Sequence, residues 1–105
     1  MKKKIRQLIK SLLPYQPERV FLFGSWARGE EDELSDIDLV VIKRTSTPFL
    51  ERLREVSTLL PAEIGGVDIL VYTLDEFAAM QEQGNAFAEM IIEEARLIYE
   101  QQTKN

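Results

Sequence analysis

Residues 20–42 read VFLFGSWARGEEDELSDIDLVVI, and the fold turns on this stretch. Val20 to Phe23 is a short apolar, aromatic run stopped by Gly24, the pattern of a buried strand. Trp26 to Ser35 is polar and acidic, with Glu30, Glu31, Asp32 and Glu33 in a row. Asp36 to Lys43 is a second strand. Its alternation puts Asp36 and Asp38 on one face and Ile37, Leu39 and Val41 on the other. Further on, Gly65 and Gly66 introduce a third strand, Val67 to Tyr72, built the same way: Asp68, Leu70 and Tyr72 share one face, Val67, Ile69 and Val71 the other.

Helical patterns fill the rest. Ile5, Leu8, Ile9, Leu12 and Leu13 recur at helical spacing until Pro14 and Pro17. Ser46 and Thr47 before Pro48 predict a hydroxyl cap with proline in the first turn of a helix carrying Phe49, Leu50, Leu53, Val56, Leu59 and Leu60, closed by Pro61. Thr73 with Glu76 three residues on has the form of a capping box. Gly84 and Asn85 separate that helix from a last one, Ala86 to Tyr99, with a buried stripe of Phe87, Met90, Ile91, Ala95 and Ile98. The expected architecture is α/β: a small mixed sheet with helices packed mainly on one face, residues 1–105 forming a single domain.

Composition narrows the chemistry. The 105 residues are 45% hydrophobic and 30% charged, the balance of a globular chain with one core. The net charge of -5 argues against broad binding to a nucleic-acid backbone, which calls for basic surfaces. No cysteine is present, which excludes disulfides, zinc–thiolate sites and thiol nucleophiles. No histidine is present either, so the commonest general base is missing. Lys2, Lys3 and Lys4 begin like a signal peptide, but Arg6, Gln7 and Lys10 break the apolar stretch that should follow. With no run near the roughly 20 apolar residues of a membrane span, the expected location is cytoplasmic, away from membranes.

The carboxylates carry the chemistry. If the second and third strands lie close, Asp36, Asp38 and Asp68 converge at one edge of the sheet. Like charges at short range repel, and a hard divalent cation such as Mg²⁺ or Mn²⁺ offsets that repulsion. A single Asp would read more readily as the cap of a turn; an Asp-x-Asp pair with a third Asp on a matching strand favours a metal site. Gly24 lets main chain approach a ligand closely, and free N–H groups at the start of a short helix through Trp26, Ala27 and Arg28 attract phosphate. Ser25 adds a hydroxyl, and Arg28 a guanidinium about one turn on. Alone, Gly24 and Ser25 would mean an ordinary turn with a serine cap. Followed after ten residues by Asp36-x-Asp38, they form a signature that average residue usage produces in about one chain of this size in a thousand.

Residues 23–29, FGSWARG, and 35–41, SDIDLVV, resemble the minimal nucleotidyltransferases of the DNA polymerase β superfamily. The resemblance implies a polymerase β-like nucleotidyltransferase core. It implies that Asp36 and Asp38 bind two metal ions, Mg²⁺ or Mn²⁺, gripping a nucleoside triphosphate. Asp68 would then be a ligand to the catalytic-side metal, a base for the incoming hydroxyl, or both. Gly24 and Ser25 would hold the β- and γ-phosphates, with Arg28 beside them. In-line attack on the α-phosphate would transfer a nucleoside monophosphate, chemistry that needs no histidine.

Small stand-alone members resemble the antitoxin of two-gene modules whose other product is a HEPN-type ribonuclease toxin. The resemblance implies transfer of AMP from ATP to a tyrosine hydroxyl of that partner protein. The shortness of the chain and its lack of a basic groove agree with an acceptor supplied by another protein. The competing expectation is a binding-only antitoxin that masks its partner without catalysis. Trp26 reads equally as a stacking ring or as a clamp on the short helix.

Overall fold

The computed structural model describes residues 2–102. Helix α1 (Lys3–Leu12) is followed by strand β1 (Arg19–Phe23), the single-turn helix α2 (Ser25–Arg28) and strand β2 (Ile37–Ile42). Then come α3 (Phe49–Ser57), β3 (Val67–Tyr72), α4 (Leu74–Glu82), α5 (Ala86–Glu94) and β4 (Arg96–Glu100). The sheet order is β3-β2-β1-β4. Strands β2 and β3 run parallel, and β1 is antiparallel to both β2 and β4, so the sheet is mixed as the sequence predicts.

Alternation divides the sheet's two faces. Val20, Leu22, Ile37, Leu39, Val41, Ile69 and Val71 form one buried face with Ile5, Leu8 and Leu12 of α1 and Val56 of α3. Ala27 of α2 joins the same core. On the opposite face Val40 and Ile42 pack with Phe77 of α4 and with Ala88 and Ile91 of α5. Phe23 meets Phe87 edge-on at 5.6 Å between ring centroids. Three helices thus take the expected face, while α4 and α5 cover part of the other. The reason is that Val40 and Ile42 continue the Asp38 face of β2 as apolar residues, and these need a cover of their own.

The last helix is shorter than its pattern. It ends at Glu94, where Ala95 turns to extended geometry, and residues 96–100 pair antiparallel with β1. Apolar spacing runs on through Ala95 and Ile98 with no glycine or proline to stop it, so periodicity alone cannot see the break. What decides it is the outer edge of β1, whose main-chain groups need partners. Ile98 and Tyr99 pack on the α1 side of the sheet, whereas Phe87, Met90 and Ile91 pack on the other. A register shift between Val20 and Phe21 marks the bulge in this pairing.

Helix α3 departs from expectation in two details. Pro48 is itself the residue before the first turn, with no side-chain cap from Ser46 or Thr47. Leu50 is 75% exposed, and Arg52 is buried in its stead. The capping box of α4 forms as read: Thr73 Oγ1 accepts from the Glu76 amide at 3.1 Å, and Glu76 Oε1 accepts from the Thr73 amide at 2.7 Å. Among the described residues no helix is long and apolar enough to cross a membrane.

Candidate active site

Parallel pairing of β2 with β3 sets Asp38 directly opposite Asp68, and antiparallel pairing of β1 with β2 sets Phe23 opposite Asp38. The chain leaves β1 at Phe23, so Gly24 is the next residue and lands against the Asp38 carboxylate. A Cβ built on Gly24 would overlap Asp38 Oδ2 and lie 3.1 Å from its Cγ. Gly24 also has φ +74° and ψ -156°, a conformation closed to residues with a side chain. Its carbonyl accepts from Ala27 and Arg28 at 3.1 and 3.2 Å, starting α2. Ser25, half-buried, opens that helix, so its amide and that of Trp26 fall among the donors a helix start leaves unused.

Asp36 stands on the same side of the chain, one residue before β2, and is exposed. Its carboxylate lies against Gly66, where a Cβ would overlap Oδ1 and lie 2.8 Å from Cγ. The Ile37 amide donates to the Gly66 carbonyl at 3.0 Å, which fixes this approach. Both carboxylates of the Asp-x-Asp pair are therefore backed by a glycine. Desolvation raises the Asp38 carboxyl above the usual range, and the negative charges of Asp68 and Asp36 push it further; Arg28 opposes them.

Strand pairing sets Asp38 beside Asp68, close enough for the Asp68 charge to act on the Asp38 carboxyl, while Asp36 is drawn toward Gly66. Among the described residues no three such side chains are gathered tightly enough to hold an ion as they stand. The donor set is all carboxylate oxygen, with Asp38 desolvated beside the charges of Asp68 and Asp36, and that chemistry fits a hard divalent cation.

Arg28 is exposed at the rim and donates from Nε to Glu30 Oε1 at 2.6 Å. The hydrogen bond to Glu30, with the charges of Glu30, Glu94 and Asp38, raises its pKa. Trp26 acts as a clamp. Its indole Nε1 donates to the Ser35 carbonyl at 3.3 Å, its ring packs on the α1-side core, and Lys2 and Lys4 place their ammonium groups 5.3 and 5.7 Å from its centroid. The acidic loop is tied back by a Lys2–Glu31 ion pair.

Sequence reasoning missed Glu94 and Arg96, which lie by Arg28 because α5 ends there; Arg96, Arg28 and Trp26 share the lining of a cleft of about 670 Å³. The β-prone run of Leu97, Ile98 and Tyr99 was the available signal. Arg52 was also missed. It sits three residues after Phe49 and four before Val56, on the face that turns inward.

Relatives place this geometry. A family model described as polymerase beta, nucleotidyltransferase matches residues 3–104. Two proteins of Methanocaldococcus jannaschii align with the chain. "Putative protein adenylyltransferase MJ0141" is 32% identical over 69 residues, 66% of this chain and 69% of that protein. "Putative protein adenylyltransferase MJ0435" is 37% identical over 70 residues, 64% and 72% respectively. Among solved structures, a "putative nucleotidyltransferase from Sulfolobus solfataricus" superposes with a TM-score of 0.65 at 20% identity, over 94% of this chain and 79% of its own. A chain of a toxin–antitoxin crystallised with AMP-PNP gives a TM-score of 0.65 at 20% identity, over 96% and 76%. A chain from a mutant of the toxin–antitoxin MntA-HpeT gives 0.61 at 21%, over 93% and 73%. The structural likenesses speak for the fold. With the family match spanning nearly the whole chain, this chain belongs to the polymerase β nucleotidyltransferase family and is a nucleotidyltransferase.

Proposed function

We propose that the chain moves AMP from ATP to a hydroxyl of a protein acceptor, a tyrosine of a HEPN-type ribonuclease toxin, and so acts as its antitoxin. The observation that carries this reading is the pairing of Asp38 with Asp68 across β2 and β3, with the main chain of Gly24 against Asp38. The names of the two archaeal relatives support protein adenylyl transfer, and the toxin–antitoxin neighbours support a protein partner.

In this reading Asp36, Asp38 and Asp68 are the residues that would hold two Mg²⁺ or Mn²⁺ ions. Bound there, divalent cations supply charge stabilisation to the attacking and leaving oxygens. Gly24 and the amides opening α2 receive the β- and γ-phosphates, the Ser25 hydroxyl donates to them, and Arg28 closes the rim. Asp68 orients the acceptor hydroxyl and takes its proton. The acceptor oxygen forms a new bond to the α-phosphorus, the α–β bridging bond breaks, and its electron pair leaves with pyrophosphate.

The test is to incubate the chain with the protein encoded beside it, Mg²⁺ and ATP, and to weigh both by mass spectrometry. An AMP-sized increment on the partner, lost with Asp38→Asn, is the expected result. Full inhibition of the partner by the Asp38→Asn protein, with no increment from any triphosphate, would replace the reading with a binding-only antitoxin.

A further inference from the structure

Strand β3 is an edge strand, and its hydrogen-bonding phase can be read from its two ends. The Ile37 amide donates to the Gly66 carbonyl and the Lys43 amide to the Tyr72 carbonyl, so residues 66, 68, 70 and 72 direct their main-chain groups toward β2. Val67, Ile69 and Val71 therefore direct theirs outward. The Val71 carbonyl is taken by Arg52 Nη1 at 3.1 Å, and Arg52 is itself fixed by Glu76 through a bidentate pair at 2.6 and 3.0 Å. Among the described residues no hydrogen bond reaches the outward groups of Val67 and Ile69. An open stretch of edge thus lies beside Asp68, stopped at its far end by a guanidinium.

Alongside runs an apolar groove of about 500 Å³. Leu53, Val56 and Leu60 form one wall, Val67 and Ile69 the other, and Asp68 lies at its border. The groove is thus continuous with the candidate active site. An extended peptide satisfies both features together, because its main chain completes an edge while alternate side chains go to opposite faces.

We propose that the acceptor segment of the protein substrate adds as a short strand along Val67 and Ile69. One apolar side chain enters the Leu53–Leu60 groove, and the hydroxyl-bearing residue next to it in sequence faces Asp68. The inference rests on the protein-acceptor reading above and adds a rule to it: the acceptor hydroxyl has an apolar neighbour in the chain. An acidic neighbour would be carried into an apolar wall and is rejected.

The test uses ten-residue peptides with one tyrosine, flanked on both sides by leucine or by glutamate. Binding is followed in the Asp38→Asn protein, where nothing turns over, by hydrogen exchange at the Val67 and Ile69 amides. Mass spectrometry follows AMP addition by the unaltered protein with Mg²⁺ and ATP. The leucine-flanked peptide is expected to slow exchange at both amides and to bind at least about tenfold more tightly than the glutamate-flanked one, the scale of one buried apolar side chain. Leu60→Glu should abolish that preference and Leu60→Met should keep it, with circular dichroism confirming that both fold. Exchange unaffected by either peptide, or equal affinity for both, overturns the proposal. Slowed exchange without AMP addition keeps the docking edge and removes the transfer reading; AMP addition without slowed exchange does the reverse.

Discussion

Asp38 and Asp68 occupy the same rung of the parallel ladder between β2 and β3, each the second residue of its strand. A rung in register holds facing side chains about 5 Å apart at their roots, so two carboxylates are forced together by main-chain pairing alone. Pairing fixes their roots, so only side-chain torsions are left to draw the two carboxylates apart. Their repulsion is built into the fold, and desolvation of Asp38 adds to it.

Asp38→Asn should separate stability from activity. Transfer should fall by about a thousandfold or more, the scale of losing a principal electrostatic element, while the melting temperature rises. The sign follows from the raised carboxyl: its folded pKa lies above the unfolded value of about 3.9, so ionisation costs stability once the pH exceeds the folded value. The rise in melting temperature should be present at neutral pH and absent below the unfolded pKa. A melting temperature unchanged at pH 7 would contradict it.

Gly24→Ala and Gly66→Ala should differ. Both would drive a methyl into a carboxylate, but only Gly24 has a positive φ. Gly24→Ala should lose about 2 kcal/mol or more from the combined backbone and steric cost, Gly66→Ala less. Urea denaturation measures both, and nucleotide binding should weaken in each.

The Arg52–Glu76 pair predicts an acid-sensitive fold. The Arg52 hydrogen bond holds the Glu76 carboxyl below its ordinary value, helped by the Thr73 amide. A depressed folded pKa gives stability that is full above the unfolded carboxylate value of about 4.3 and is lost as the pH falls through the folded value. Denaturation midpoints measured from pH 6 to pH 2.5 should fall across that window, and Glu76→Gln should flatten the fall. At neutral pH Arg52→Ala should cost about 3 kcal/mol, because the Thr47 and Val71 carbonyls lose their donor together with Glu76.

Trp26→Phe should free the acidic loop while sparing triphosphate affinity. Loss of the bond to the Ser35 carbonyl should cost about 1 kcal/mol. Faster amide exchange over residues 30–36 with unchanged triphosphate binding would establish the clamp; weakened binding would instead make Trp26 a stacking ring.

The central strands and the candidate site were legible because period-two alternation is local, and Asp36, Asp38 and Asp68 announce the polar end of each strand. Two other features were hidden, for different reasons. The pattern from Phe87 to Ile98 satisfies a helix as well as it satisfies a helix broken at Ala95, and the choice is made by β1, more than sixty residues upstream. Arg52 looks like a solvent residue by type; only Thr47, Val71 and Glu76 assembled around it make a buried guanidinium affordable. The glycine contacts with Asp36 and Asp38 were legible only in part, since sequence marks Gly24 as a turn but says nothing of which atom fills its missing side chain.

Those two contacts carry a consequence for how such a chain would age under mutation. Neither Gly24 nor Gly66 is crowded by apolar packing: what each methyl would strike is a carboxylate oxygen. Replacing Asp38 by alanine would remove the steric objection at Gly24, and replacing Asp36 would remove it at Gly66. In a lineage that had given up its chemistry and lost the aspartates, Gly66 would be the first position released to drift, whereas Gly24 would stay pinned by its positive φ. Alanine at position 66 beside an intact glycine at 24 would then be the expected scar of a protein that kept the scaffold and retired the reaction.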